Sequence, residues 1–215
     1  MNELSAWTFF SLRTALLATL AAGLIATPLA YLLARRRSPW LNGIETLLTL
    51  PLVLPPTVVG YLLVVALGSQ NPLIKLLFGQ PLLFTQTAAV IAATVVILPL
   101  IYLPAKAAFA AVDVDLEDAA RLYGANRLSL FWHVSLPLAR RGVAAGLTMA
   151  FARALGEFGA TVMVLGISAE RTTLPIAIYL DYTAGESTHA WWAIGVLTAV
   201  SLFSVLIYNA FFREV

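Results

Sequence analysis

Residues 115–124 read Asp-Leu-Glu-Asp-Ala-Ala-Arg-Leu-Tyr-Gly, and residues 134–137 read Val-Ser-Leu-Pro. This polar stretch interrupts a chain of 215 residues that is 60% apolar and only 11% charged, where a soluble domain carries about 25% charged residues. Asp115 is placed to cap the free N–H groups of a helix start, Glu117 and Asp118 favour its positive end, and Gly124 supplies a left-handed residue to stop it. The pattern predicts a two-turn helix lying outside the membrane. Ala119 and Ala120 leave its backbone bare, so a groove on another protein has room to close over it. A capped loop helix packing on its own domain fits the same periodicity.

Around this segment lie five apolar runs, at about residues 9–33, 44–67, 85–104, 143–165 and 191–212. A hydrocarbon core about 30 Å thick needs roughly 20 apolar residues per helix, so each run is a candidate span. The expected fold is an all-α membrane protein, one domain over residues 1–215, with residues 105–142 as its longest loop. Arg35, Arg36, Arg37, Lys106, Arg121, Arg127, Arg140, Arg141 and Arg213 fall on one side of the spans, and only Lys75 and Arg171 on the other. Positive charge marks the cytoplasmic face, which puts the N-terminus outside and the C-terminus and loop 105–142 inside. Trp7, Trp40, Trp191 and Trp192 sit at span ends, where indoles favour the headgroup layer. Residues 172–180 are apolar but too short to cross, and predict an interfacial or re-entrant helix.

Asp118-Ala119-Ala120, then Gly124 after three residues, then Val134-Ser135-Leu136-Pro137 after nine more, resembles the EAA signature of ABC importer permeases. Asp118 stands for Glu and Val134 for Ile. The resemblance implies a type I importer permease fold. It also implies that the segment is the coupling helix entering a cleft of a cytoplasmic ATPase, with Glu117, Asp118, Ala119, Ala120, Gly124, Leu136 and Pro137 as the ATPase-coupling residues. Residues 50–63 (LPLVLPPTVVGYLL), 151–161 (FARALGEFGAT) and 171–179 (RTTLPIAIY) are similar to stretches of molybdate permeases. The resemblance thus implies an importer subunit for molybdate, with tungstate as the related substrate, in a prokaryotic inner membrane. Its partners would be a second copy of the chain, two ATPase subunits that use ATP and Mg²⁺, and an extracytoplasmic oxyanion-binding protein.

Within the fourth run, Arg153 and Glu157 lie four residues apart, on one face if the helix is continuous. A charge at a helix centre in lipid costs about 2.5 kcal/mol or more on insertion scales, so the pair is expected to face protein or water. Gly142, Gly146, Ala150 and Ala154 form a small-residue ridge on nearly the same face. In one reading this helix lines a dimer axis, with Arg153 presented to an anion and Glu157, Gly156 and Gly159 completing a translocation path or gate. In the other, the pair only fixes packing. Pro51, Pro55, Pro56, Pro99 and Pro104 predict kinks, as static bends or as a hinge. His133 and His189 read as isolated loop or interfacial residues.

Lys75 is followed by Leu76 and Lys106 by Ala107, so the chain contains no Gly-x-x-x-x-Gly-Lys-Ser/Thr phosphate loop. Any ATPase is therefore a separate polypeptide, and this chain is expected to bind no metal, cofactor or nucleic acid of its own. Cys is absent, which excludes disulfides and thiol chemistry. A sulfate or thiosulfate permease, a secondary transporter or channel, and a membrane-embedded enzyme are the competing readings.

Overall fold

The computed structural model describes residues 3–36, 38–68, 71, 76, 82–167 and 172–212, and among these the regular structure is all helix. The elements are α1 (Glu3–Leu33), α2 (Pro39–Val53), α3 (Pro56–Leu67), α4 (Gln86–Ala110), α5 (Val114–Leu122), α6 (Arg127–Leu130), a π-helical turn (Phe131–Ser135), α7 (Leu136–Leu155), α8 (Gly159–Leu165), α9 (Leu174–Ala184) and α10 (Thr188–Phe212). Three helices, α1, α4 and α10, are long and apolar enough to cross a bilayer, and the spans number five if each of two bent pairs counts as one. Arg37, Lys75, Arg171 and Arg213, which enter the charge asymmetry, lie outside the described residues.

The bend in the second run goes further than the kink expected there, and the bend in the fourth run corrects the expectation of a continuous helix. Proline disfavours helical backbone at the residue before it, and in Leu54-Pro55-Pro56 two successive residues precede a proline. Leu54 takes φ −72°, ψ 142° and Pro55 takes φ −55°, ψ 135°, so the helix stops and restarts with a 117° bend between α2 and α3. The fourth run breaks as well: α7 ends at Leu155, and α8 sets off at 56° after the non-helical Gly156-Glu157-Phe158. By contrast α4 runs through Pro99 and Pro104 as one helix.

Helices α1, α4 and α7 form the core. Ala15, Ala18, Ala22, Ala26 and Ala30 make a buried methyl row along α1 in the same cluster as Ala93, Ile97 and Ile101 of α4. Lipid offers no hydrophobic gain for bringing helices together, so close van der Waals fit between small residues carries the association. Thr94 Oγ1 adds a hydrogen bond across to the Ala18 carbonyl at 3.4 Å, and Gln86 Nε2 donates to Thr14 Oγ1 at 3.2 Å. On α7, a Cβ at Gly146 would lie 3.0 Å from Ile101 Cα, and one at Gly142 would collide with Ala108. The ridge expected to line a dimer axis thus faces α4 of its own chain, with Ala150 and Ala154 buried in the same cluster.

The short helix expected near residues 172–180 is α9, whose 11 residues cannot span. Its first turn is tied to α1, where Ser11 Oγ accepts from the Leu174 N–H at 2.8 Å. Asp181 caps the next helix: its Oδ2 accepts from the N–H groups of His189 (2.7 Å) and Ala190 (2.8 Å), and its Oδ1 lies 3.1 Å from His189 Nδ1. His189 also meets the Trp7 ring edge-on at 5.4 Å between centroids, so it is not isolated. Burial pushes the Asp181 carboxyl up, but the Ala190 and His189 hydrogen bonds outweigh this and hold it below its ordinary value of 3.8. Because the folded-state pKa is the lower one, the cap stabilises fully above the ordinary value and is lost as pH falls through the depressed one. Asp181→Asn is therefore expected to lower the melting temperature in detergent at neutral pH, with the gap to the parent closing at acid pH.

Candidate functional site

The polar helix α5 is built much as its sequence suggests, two residues out of register at its start. The cap is Asp113, with Oδ1 accepting from the Asp115 N–H at 2.9 Å, so Asp115 lies inside the first turn and acts only through its charge. At the other end Gly124 has φ +87°, Gly124 N–H donates to the Arg121 carbonyl at 2.9 Å, and Ala125 N–H to the Ala120 carbonyl at 3.0 Å. This is the paired C-terminal closure that a left-handed residue permits.

Glu117 points inward. Its carboxylate is buried, 2.6 Å from Arg35 Nη1 and 3.6 Å from Arg121 Nη2, and it accepts from Ser135 Oγ at 2.8 Å. Arg35 in turn donates to the Val112 carbonyl and, at 3.5 Å, to that of Phe109. One side chain thereby joins the end of α1, the exit from α4, the body of α5 and the π-helical turn that opens α7. Glu117 is placed to hold α5 to the membrane helices, not to meet a partner. Leu136 and Pro137 likewise stand at the start of α7, with Leu136 packed against the core.

The outward side of α5 has a different character. Asp118, paired with Arg121 at 2.5 Å, and Ala119 are exposed, Ala120 is half-buried, and Leu122 and Tyr123 are 89% and 94% exposed. Leu128 and Trp132, in the segment that follows, are exposed as well. Sequence reasoning missed Arg35 and Ser135 at this joint; Arg35 stood in the basic run but was read only for topology.

A second arrangement forms where the two helix breaks meet. Arg153 and Glu157 make the expected ion pair, Nη1 to Oε2 at 2.6 Å, but across the break, since Glu157 lies beyond the end of α7. Glu157 Oε1 accepts from the Ala160 N–H at 2.9 Å and so helps to start α8. The Glu157 side chain is 1% exposed and that of Arg153 38%, so the positive partner is the accessible one. Gly159 abuts α3, where its Cβ would lie 3.0 Å from Pro56 Cβ and 3.3 Å from Thr57 N. A Cβ on Gly60 would lie 2.8 Å from Ala160 Cα. Glycine is needed at these two positions because backbone meets backbone. Residues 50–63 and 151–161, far apart in sequence, therefore converge, and Gly156 lies exposed at the junction. Among the described residues no group of three or more His, Asp or Glu is placed to hold a metal ion.

Residues 26–214 match the family described as binding-protein-dependent transport system inner membrane component. The chain is 46% identical over 161 residues to a putative molybdenum transport system permease protein of Bacillus subtilis, covering 73% of this chain and 71% of that one. With the molybdenum transport system permease protein ModB of Escherichia coli K12 it shares 42% identity over 184 residues, 83% of this chain and 80% of the relative. Among solved structures, it superposes with TM-score 0.78 at 17% identity on a chain of a bacterial alginate ABC transporter crystallised with its alginate-bound periplasmic protein, covering 98% of this chain and 78% of that one. On an inward-facing MetNI methionine ABC transporter the TM-score is 0.73 at 16% identity, with 98% and 94% covered. Those two likenesses establish the fold, and the family match together with the sequence relatives shows that this chain belongs to the inner membrane components of binding-protein-dependent transport systems.

Proposed function

We propose that the chain is the membrane-spanning subunit of an ATP-driven importer of molybdate. The observation that carries this reading is the sequence identity to molybdenum permeases over most of the chain. The convergence of the two helix breaks, formed by stretches similar to those permeases, supports it. Two copies would surround a central path, with an ATPase subunit docked on each α5 and an extracytoplasmic anion-binding protein on the opposite face. The N-terminus lies outside and α5 in the cytoplasm. ATP and Mg²⁺ belong to the ATPase subunits.

In this mechanism the exposed face of α5 enters the ATPase, and closure of the ATPase pair draws the two α5 helices together. The buried Glu117 joint passes that displacement to α1, α4 and α7. The α2/α3 and α7/α8 breaks let the outer halves reorient, so nucleotide and substrate bias one two-state equilibrium. Arg153, held by Glu157, offers the passing dianion a positive contact of partial strength, which favours entry without trapping.

The test is ATP-dependent uptake into vesicles holding this chain, its ATPase and its binding protein, with molybdate, tungstate and sulfate compared. Molybdate uptake is expected; sulfate alone would reassign the substrate, and uptake without ATP would overturn the importer reading. Two variants probe the parts. Gly124→Asp places a carboxylate where nothing lies within 4 Å, at the docking end of α5, and Asp tolerates left-handed backbone better than most residues. Transport per ATP hydrolysed is expected to fall about tenfold, equivalent to about 1.4 kcal/mol of docking, while membrane insertion is unchanged. Arg153→Ala is expected to reduce uptake by a similar factor, with Arg153→Lys recovering part of it; full uptake by the alanine variant would assign the pair to packing.

A further inference from the structure

At the end of α1 a cavity of about 450 Å³ opens between α1, α4 and α5, with Arg35, Arg36, Arg121 and Arg127 in its wall and Glu117 as its carboxylate. Arg35 is engaged by Glu117, and Arg121 by Asp118. Arg36 and Arg127 are exposed and make no side-chain ion pair or hydrogen bond among the described residues. Four guanidinium groups against the two carboxylates that pair with them, Glu117 and Asp118, leave the cavity positive, and the planar fork of arginine suits the oxygens of a phosphate group.

The surroundings choose among anions. Leu32 lines the cavity and also ends an exposed row on α1 made of Leu16, Leu20, Leu24, Pro28 and Leu32 at four-residue spacing. At 1.5 Å per residue that row is roughly 24 Å long, more than the roughly 15 Å depth of one leaflet's hydrocarbon. A free oxyanion has no use for such a row, whereas an acyl chain does. Basic cavities between membrane helices on the cytoplasmic side are suited to anionic headgroups, in a leaflet whose surface is itself negative. We propose that this cavity holds the phosphodiester of an anionic phospholipid from the cytoplasmic leaflet, with one acyl chain lying along the α1 row. The proposal rests on the orientation given above.

The experiment uses the complete transporter with its ATPase, delipidated and offered vesicles of phosphatidylglycerol or phosphatidylcholine, with retained lipid counted by native mass spectrometry. Selective retention of phosphatidylglycerol is expected. Arg36→Ala and Arg127→Ala should each weaken it roughly fivefold, and the double variant about thirtyfold, from about 1 kcal/mol per surface arginine. Arg140→Ala, an exposed arginine outside the cavity, should leave retention unchanged. Equal loss in Arg140→Ala would show general surface attraction and overturn the site. So would equal retention of the two lipids, or displacement of the lipid by millimolar inorganic phosphate or molybdate, which would make the ligand a free anion. ATP-dependent uptake by the same preparation separates the two ideas: uptake without lipid selectivity removes the lipid site and leaves the importer standing.

Discussion

Glu117→Ala is expected to release α5 from the membrane helices. The carboxylate is buried and holds Arg35 and Ser135, so its removal leaves the Ser135 hydroxyl without its acceptor and Arg35 without its anion. Truncating one partner of a fully buried pair costs about 3–5 kcal/mol. The Arg35 side chain is 32% exposed and recovers part of its solvation, which reduces the expected cost to about 2–3 kcal/mol. The loss should appear as a lower melting temperature in detergent and as ATP hydrolysis that no longer drives uptake. Glu117→Gln, which still accepts from Ser135, should fall between the two. In a double-mutant cycle with Arg35→Ala the two substitutions should be strongly non-additive; additive effects would place α5's attachment elsewhere.

A comparable effect is expected from Gly60→Leu. The added Cβ alone would sit 2.8 Å from Ala160 Cα and 2.8 Å from Met163 Cβ, and a backbone atom cannot turn aside as a side chain can. Helix α3 must therefore lift from α8. Overpacking of this kind costs about 1–3 kcal/mol and sometimes more. Because it falls between the two broken helices, the expected result is an inserted protein that still docks its ATPase but no longer transports. Gly60→Ala should show a milder form of the same defect. Uptake together with copurification of the ATPase distinguishes this from global misfolding, in which both would be lost.

The residues differ in how openly they declare these roles. The apolar runs, the capped two-turn helix and Gly124 were legible because each depends on local chemistry: burial period, free N–H groups and a left-handed backbone. The Arg153–Glu157 pair was legible as a pair from its four-residue spacing, and it forms although the helix breaks between the two. Its setting was not. An apolar run carries the same hydropathy through a straight helix and a broken one, so Gly156-Glu157-Phe158 looked like one more turn, and Leu54-Pro55-Pro56 looked like a kink. The Arg35–Glu117 contact spans 82 residues, and no local rule reaches that far. Glu117 sat beside the signature and was grouped with its docking residues, though only the fold shows that it faces the other way.

The π-helical turn at Phe131–Ser135 carries a consequence of its own. A π turn holds one residue more than the α turn it replaces and commonly arises where such a residue is accommodated within a helix. Each residue of an α-helix advances the azimuth by about 100°. Deleting one residue here would turn the π turn into an α turn and join α6 to α7 as one α-helix, with the azimuth of everything downstream nearly unchanged. The turn thus absorbs one residue without changing the phase of α7, and a one-residue deletion within these five residues would be felt at the α4 crossing less than the same deletion made inside α7, where each residue carries about 100° of rotation.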